Sequence, residues 1–315
     1  MIRRGTPGLL LVALSGALVL TGCGTFQDSD AAAIVDGTAL SREDYESFLQ
    51  VLVDNSDLTQ VTEDTATGTV TGEAGRSALT RLVLTTATKE FLDDNGVTIT
   101  DQERADALAE LEVSNPDLEA PERVLDVVVD GSAAQTATAR VAAPDAATIE
   151  QRYTERPASA GALCARHILV ATEAEADAVA AELAAGADFA ELAAERSTDQ
   201  TADAGGVLLA DTGGVLSGEG GAECFALTAL TGAGPSFIEA VVGAEVGVPT
   251  APVETSLGWH VLLARPYDEI RDSLAALYEA QAGQMLLGGY LAAVDIRIDP
   301  RYGRWDPFAM TVVAL

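Results

Sequence analysis

The sequence predicts an α+β protein: a mostly helical region, then a β-α-α-α-β unit, then a C-terminal helix with strand-like sequence. Three observations carry this. Before residue 160, apolar residues recur at helical spacing in several segments that begin on capping residues. The pattern then changes to two apolar strand-like runs, RHILVA at 166–171 and GWHVLLAR at 258–265, which bracket three helical segments. Helical spacing returns over 270–291 and gives way to the alternating stretch VDIRIDP. The chain has 315 residues, 48% of them hydrophobic, enough for one large domain or two to three ordinary ones with real cores. A formal net charge of -31 disfavours attraction to nucleic acid or anionic lipid, leaving neutral, basic or unfolded partners.

At the start, Arg3 and Arg4 precede an apolar run over 8–20 and then Leu20-Thr21-Gly22-Cys23. This is the layout of a secretory signal peptide over 1–22, too short for a comfortable membrane span. The closing four residues resemble the lipobox of bacterial lipoproteins, which implies lipidation of Cys23 and a place on the extracytoplasmic face of the cell membrane. A polar tether over 23–33 follows.

Residues 34–158 read as an N-terminal helical region. A short strand at 33–35 meets an Asp36-Gly37 turn, and Ser41 with Asp44 opens a helix carrying Tyr45, Phe48, Leu49 and Leu52. Residues 54–75, rich in Thr, Asp and Gly without periodicity, read as a mobile loop. Further helices are expected over 76–94, stopped by Asn95-Gly96, from Thr100 or Asp101 to about 112, within 120–142 and within 145–157. ASAG at 158–161 reads as a linker. The unit over 159–267 then runs strand, helices at 173–186, 188–197 and around 236–243, and strand. Residues 268–315 supply a helix and strands, whose edges need a partner; residues 33–35 are a candidate for 294–298 or 311–313.

With Cys23 assigned to lipid, Cys164 and Cys224 remain as an even pair in a disulfide-permissive compartment, where a bond between them is expected; two buried free thiols are the alternative. Two histidines and these cysteines form no recognised metal spacing, and the sequence contains no Walker loop or dinucleotide fingerprint, so neither metal nor other cofactor is expected.

Both histidines head apolar strands. In an extended strand His167 shares a face with Leu169, and His260 with Leu262, so both imidazoles can point into one interior. Around them ARHIL at 165–169, GADFAELAA at 186–194, Ser197-Thr198-Asp199, Gly205-Gly206 and Gly258-Trp259-His260 stand in order over about a hundred residues. This series resembles the parvulin family of peptidyl-prolyl cis-trans isomerases. The flanks resemble exported chaperone-isomerases of the SurA and PrsA type, through IVDGTALSREDYESFL and the helix and strands after 268. The resemblance implies a parvulin-like unit inserted in a helical chaperone body, and unfolded or folding exported polypeptides with X-Pro bonds as partners. It implies a catalytic centre of His167, His260, Asp199 and Thr255, with Leu208, Phe237 and Trp259 binding substrate. Three departures stand out: Val207 replaces a common Asp, Ala233 replaces a Met, and a long Gly-rich stretch separates Leu208 from Phe237. They favour a runner-up reading, a degenerate parvulin-fold peptide-binding or scaffolding lipoprotein. In that reading the histidines hold two strands together, and Leu208 and Phe237 are ordinary core.

Overall fold

The computed structural model describes residues 30–59, 61–64, 69–118, 120–208, 223–227, 234–307 and 309–315. The signal peptide, Cys23, Ala233 and most of the Gly-rich stretch lie outside them.

The body opens with a hairpin of β1 (Ala31–Val35) and β2 (Thr38–Ser41), turned at Asp36 and Gly37, whose φ angles of 47° and 89° fall where Asp and Gly are tolerated. Ala31, Ala32 and Ala33 are buried in β1, so the strand takes the last residues expected of the tether. Ser41 Oγ then accepts from Asp44 N and starts α1 (Arg42–Asp54). The stretch read as a loop carries α2 (Ser56–Thr59), β3 (Glu63–Asp64), β4 (Thr69–Val70) and the first turn of α3 (Gly72–Asp94). Thr71 starts that helix: its hydroxyl accepts from Ala74 N at 3.2 Å, and a cap works without apolar periodicity. Helix α4 (Asp101–Ser114) begins on a Thr100–Glu103 capping box, and α5 (Glu122–Thr138) and α6 (Ala146–Glu155) follow, the latter capped by Asp145.

The expected linker is a 3-10 turn, Pro157–Ala160, with Pro157, Ala158 and Ala160 buried. Small residues here read as flexible in sequence, but their size is what lets the chain lie against the body. A Cβ on Gly161 would stand 1.6 Å from the Met285 carbonyl oxygen. The inserted unit comprises β5 (Ala162–Leu163), β6 (Ala165–Val170), α7 (Glu173–Ala184), α8 (Phe189–Arg196), β7 (Phe225–Ala226), α9 (Pro235–Val242), β8 (Val253–Thr255) and β9 (Gly258–Ala264). Its sheet has the order β6-β9-β8, all antiparallel, and β5 pairs with β7. One face of β6 and β9, with Ile168, Val170 and Val261, packs on Val179, Phe189 and Leu192 of α7 and α8. The other, with Ala165 and Leu262, meets Leu208, Phe225, Phe237 and Val241.

After the unit, α10 (Tyr267–Leu291) breaks at Gln281 (φ -154°, ψ 44°) and leads to β10 (Ile296–Ile298), β11 (Arg304–Asp306) and β12 (Thr311–Val313). Strand β10 covers the free edge of β1, with Ala33 opposite Ile298 and Val35 opposite Ile296. Strand β12 pairs with β11 and is tied to α3, where Val312 N donates to Thr80 Oγ1. Phe48, Leu79, Phe91, Ile270, Leu274, Met285 and Ile298 therefore share one core drawn from both ends of the chain. Among the described residues no helix is long and apolar enough to cross a membrane.

Candidate active site

Strand register builds the site. His167 stands opposite Leu262 and Leu169 opposite His260, so the two histidines are diagonal neighbours on one face of the sheet. Both are 2% exposed, their rings stack at a centroid distance of 5.4 Å, and their Nδ1 atoms lie 3.2 Å apart. On the far side of His167, Nε2 is 3.2 Å from Asp199 Oδ1 and 3.3 Å from Thr201 Oγ1. On the far side of His260, Nε2 is 2.9 Å from Thr255 Oγ1. Phe237 meets the His260 ring edge-on at 5.4 Å.

Burial dominates the electrostatics of His260, lowering its pKa to about 4, helped by the neighbouring His167 and opposed by Asp199. Its imidazole is neutral near pH 7. The Asp199 carboxyl is held well below the usual carboxylate range, first by its hydrogen bond with His167 and then by two bonds from Thr201, against the opposing effect of burial. With Asp199 ionised, His167 Nε2 must donate. In the form with His167 neutral, that ring accepts at Nδ1, His260 donates from Nδ1 and accepts at Nε2, and the Thr255 hydroxyl, which also lies 3.2 Å from the Gly258 carbonyl, donates to that nitrogen. Each bond in the chain Asp199–His167–His260–Thr255 thus holds one proton.

The structure brings together His167, His260, Asp199 and Thr255, with Leu208 and Phe237 in the cluster on the same side of the sheet. It does not bring Trp259 there. Trp259 pairs with Val170 and packs with Val261 and Phe189 on the opposite face, because adjacent strand residues point to opposite sides. The substrate-binding assignment of Trp259 is therefore corrected to packing on α7 and α8. Cys164 and Cys224 are joined in a disulfide, with a Cα–Cα distance of 4.4 Å. Two residues of the site escaped the sequence reading. Val253 stands opposite His260 in β8, a strand too short to show alternation. Thr201 follows Asp199 by two, the spacing at which an Asp side chain accepts a backbone N–H, a signal that was legible. Among the described residues no cluster of His, Cys, Asp or Glu could hold a metal ion.

A three-stranded antiparallel sheet, covered by helices and centred on two facing imidazoles, defines a parvulin-type unit. Residues 167–265 match the rotamase family, described as the PPIC-type PPIase domain, and the chain carries such a domain. The foldase protein PrsA of Caldanaerobacter subterraneus subsp. tengcongensis is 32% identical over 132 residues, 40% of this chain and 38% of that protein. The foldase protein PrsA 2 of Bacillus cereus is 34% identical over 117 residues, 35% of each. The match thus spans little more than a third of these relatives. The crystal structure of PrsA from Bacillus subtilis aligns over 76% of this chain and 94% of that one, at 24% identity and a TM-score of 0.28.

Proposed function

We propose that the protein is an extracytoplasmic peptidyl-prolyl cis-trans isomerase and chaperone for exported polypeptides, held to the membrane by lipid on Cys23. The observation that carries this reading is the hydrogen-bonded chain Asp199–His167–His260–Thr255 inside a PPIC-type domain. Rotation about an X-Pro bond faces a barrier of roughly 18–20 kcal/mol and breaks no covalent bond. The site therefore has only to favour the twisted amide over both planar forms. Two buried imidazoles, that of His260 neutral near pH 7, meet that requirement, because they form a hydrogen-bonded polar centre beside the apolar Phe237, Leu208 and Val253. Binding the prolyl segment there removes water from the amide, and fixed dipoles near its twisted form act without reorganising.

A second reading, a peptide-binding module without turnover, is favoured by Leu208 and Phe237, each 1% exposed, and by Val207 in place of an acid. A prolyl-peptide isomerisation assay on the chain starting after Cys23 separates the two. Accelerated isomerisation that falls at least tenfold in folded His167→Ala and His260→Ala supports catalysis by the dyad, a loss of about 1.4 kcal/mol or more. Peptide binding with no acceleration in the parent chain supports the second reading. Full activity in a folded double variant would remove the dyad from the mechanism.

A further inference from the structure

We propose that Thr201 is a positioning residue of this site, fixing the direction of the protons along Asp199–His167–His260–Thr255. The inference rests on the isomerase reading for its kinetic consequence, but its structural part stands on geometry. Thr201 follows α8 and precedes the Gly205-Gly206 turn, and it is 5% exposed, although a buried hydroxyl is costly unless bonded. Its hydroxyl and its backbone N–H both reach the same atom, Asp199 Oδ1, at 2.6 and 2.8 Å. The one hydroxyl proton is spent there. What remains facing His167 Nε2, at 3.3 Å, is a lone pair.

Nε2 of His167 therefore looks at two acceptors, Asp199 Oδ1 and Thr201 Oγ1, and must carry the proton of a neutral ring. The free lone pair is then on Nδ1, which sets His260 as donor from its own Nδ1 and leaves His260 Nε2 to accept from Thr255. Reversing the chain would set a ring nitrogen lone pair against a carboxylate. Thr201 opposes that reversal twice, by holding the carboxylate in place and by adding a second acceptor. The backbone role of Thr201 is separate: its carbonyl accepts from Ala204 N and Gly206 N, both at 2.9 Å, and side-chain substitution leaves those bonds in place.

The test uses Thr201→Val, which keeps the shape and removes the oxygen, and Thr201→Ser, which keeps the oxygen. Nitrogen-15 NMR of the imidazole rings, on the protein without peptide, reads the tautomers. The parent is expected to show His167 protonated at Nε2 and His260 at Nδ1, and Thr201→Ser the same. Thr201→Val should show a mixture, with kcat reduced roughly tenfold and KM within about twofold, as befits loss of a bond to an ionised group. Thr201→Ser should restore kcat. Parent tautomers and parent kcat in a folded Thr201→Val, with only the melting temperature lowered, would overturn the proposal. A parent His167 protonated at Nδ1 would overturn it even if the valine variant does not fold. A parent chain with the expected tautomers but no isomerase activity would sink the functional reading and leave the positioning intact.

Discussion

The low proton affinity of His260 makes acid stability a sensitive probe of the site. Burial takes this group from its usual 6.5 to about 4, while an unfolded chain returns it to the usual value. Between those two pH values the unfolded state binds the proton and the folded state refuses it, so stability falls as pH falls through that window. Each unit of separation is worth about 1.36 kcal/mol, so the full interval corresponds to roughly 3 kcal/mol, most of it lost by about pH 4.5. Asp199 acts in a different window: its depressed folded pKa contributes stability above the ordinary carboxylate value, lost only as pH falls below it. Urea unfolding at about pH 7 and about pH 4.5 measures the difference. Trp259 sits in the inserted unit and Trp305 in the body, the chain's two tryptophans, so Trp259 fluorescence in a Trp305→Phe background isolates the unit. Because the chain is strongly acidic, the decisive quantity is the comparison with His260→Asn in the same background. The parent should lose about 2 kcal/mol more than His260→Asn on acidification. Equal losses in the two chains would refute the claim that His260 is buried neutral.

Two further outcomes follow from the same unit. Cys164→Ser with Cys224→Ser removes a bond across a sequence separation of 60, and should cost about 4 kcal/mol by chain entropy, less any native strain. The measurement is denaturant unfolding with and without reductant, and a parent insensitive to complete reduction would contradict it. Gly206→Ala sets a Cβ at φ 72° and 2.2 Å from the His167 carbonyl oxygen, which must move. Thermal unfolding should fall by several degrees, the effect of roughly 1–3 kcal/mol of this kind of strain, and isomerisation should fall with it; an unchanged melt would refute the close approach.

Much of this was legible because the signals are local. Capping residues such as Thr100 with Glu103, and a stop such as Asn95-Gly96, act within one turn and mark helix ends regardless of tertiary context. The dyad was legible through strand alternation together with the ordered motifs of the parvulin resemblance. What failed depends on distant packing. Strand β2 holds four residues and β5 and β7 two each, lengths at which periodicity carries no information. The stretch 158–161, most of which lies in the buried turn Pro157–Ala160, read as a linker because Ala, Ser and Gly signal flexibility; only contact with α10 makes their small size a packing feature. Trp259 was misread because its neighbour in sequence, His260, is not its neighbour in space.

The joint between unit and body explains how an insertion with such thin attachments can hold a site of fixed geometry. The chain enters at Cys164 and leaves at Arg265, and these two residues are themselves paired, Arg265 N donating to the Cys164 carbonyl at 2.9 Å. Beneath them the fully buried Tyr153 of α6 directs its hydroxyl at both carbonyls, 3.2 Å from that of Cys164 and 3.0 Å from that of Arg265. Tyr278 of α10 donates to the Ala160 carbonyl at 2.7 Å. Ion pairs also cross the joint: Glu269 of α10 receives Arg166 and Arg265, each at 3.3 Å, while within the unit Glu223 receives Arg265 at 2.8 Å. Glu269 and Glu223 side chains are 41% and 45% exposed, however, and pairs with such solvated partners contribute about 1 kcal/mol or less. A neutral hydrogen bond nets about 1 kcal/mol, but stranding a buried carbonyl costs up to about 3 kcal/mol, so the tyrosines outweigh the ion pairs as constraints. The packing of Cys164 and Cys224 in the body's core and the approach of Gly161 to Met285 then leave little room for the strand bearing His167 to shift against the body. Since Cys164 stands three residues before His167 in the same run of chain, the attachment that orients the whole unit also orients the first imidazole of the dyad.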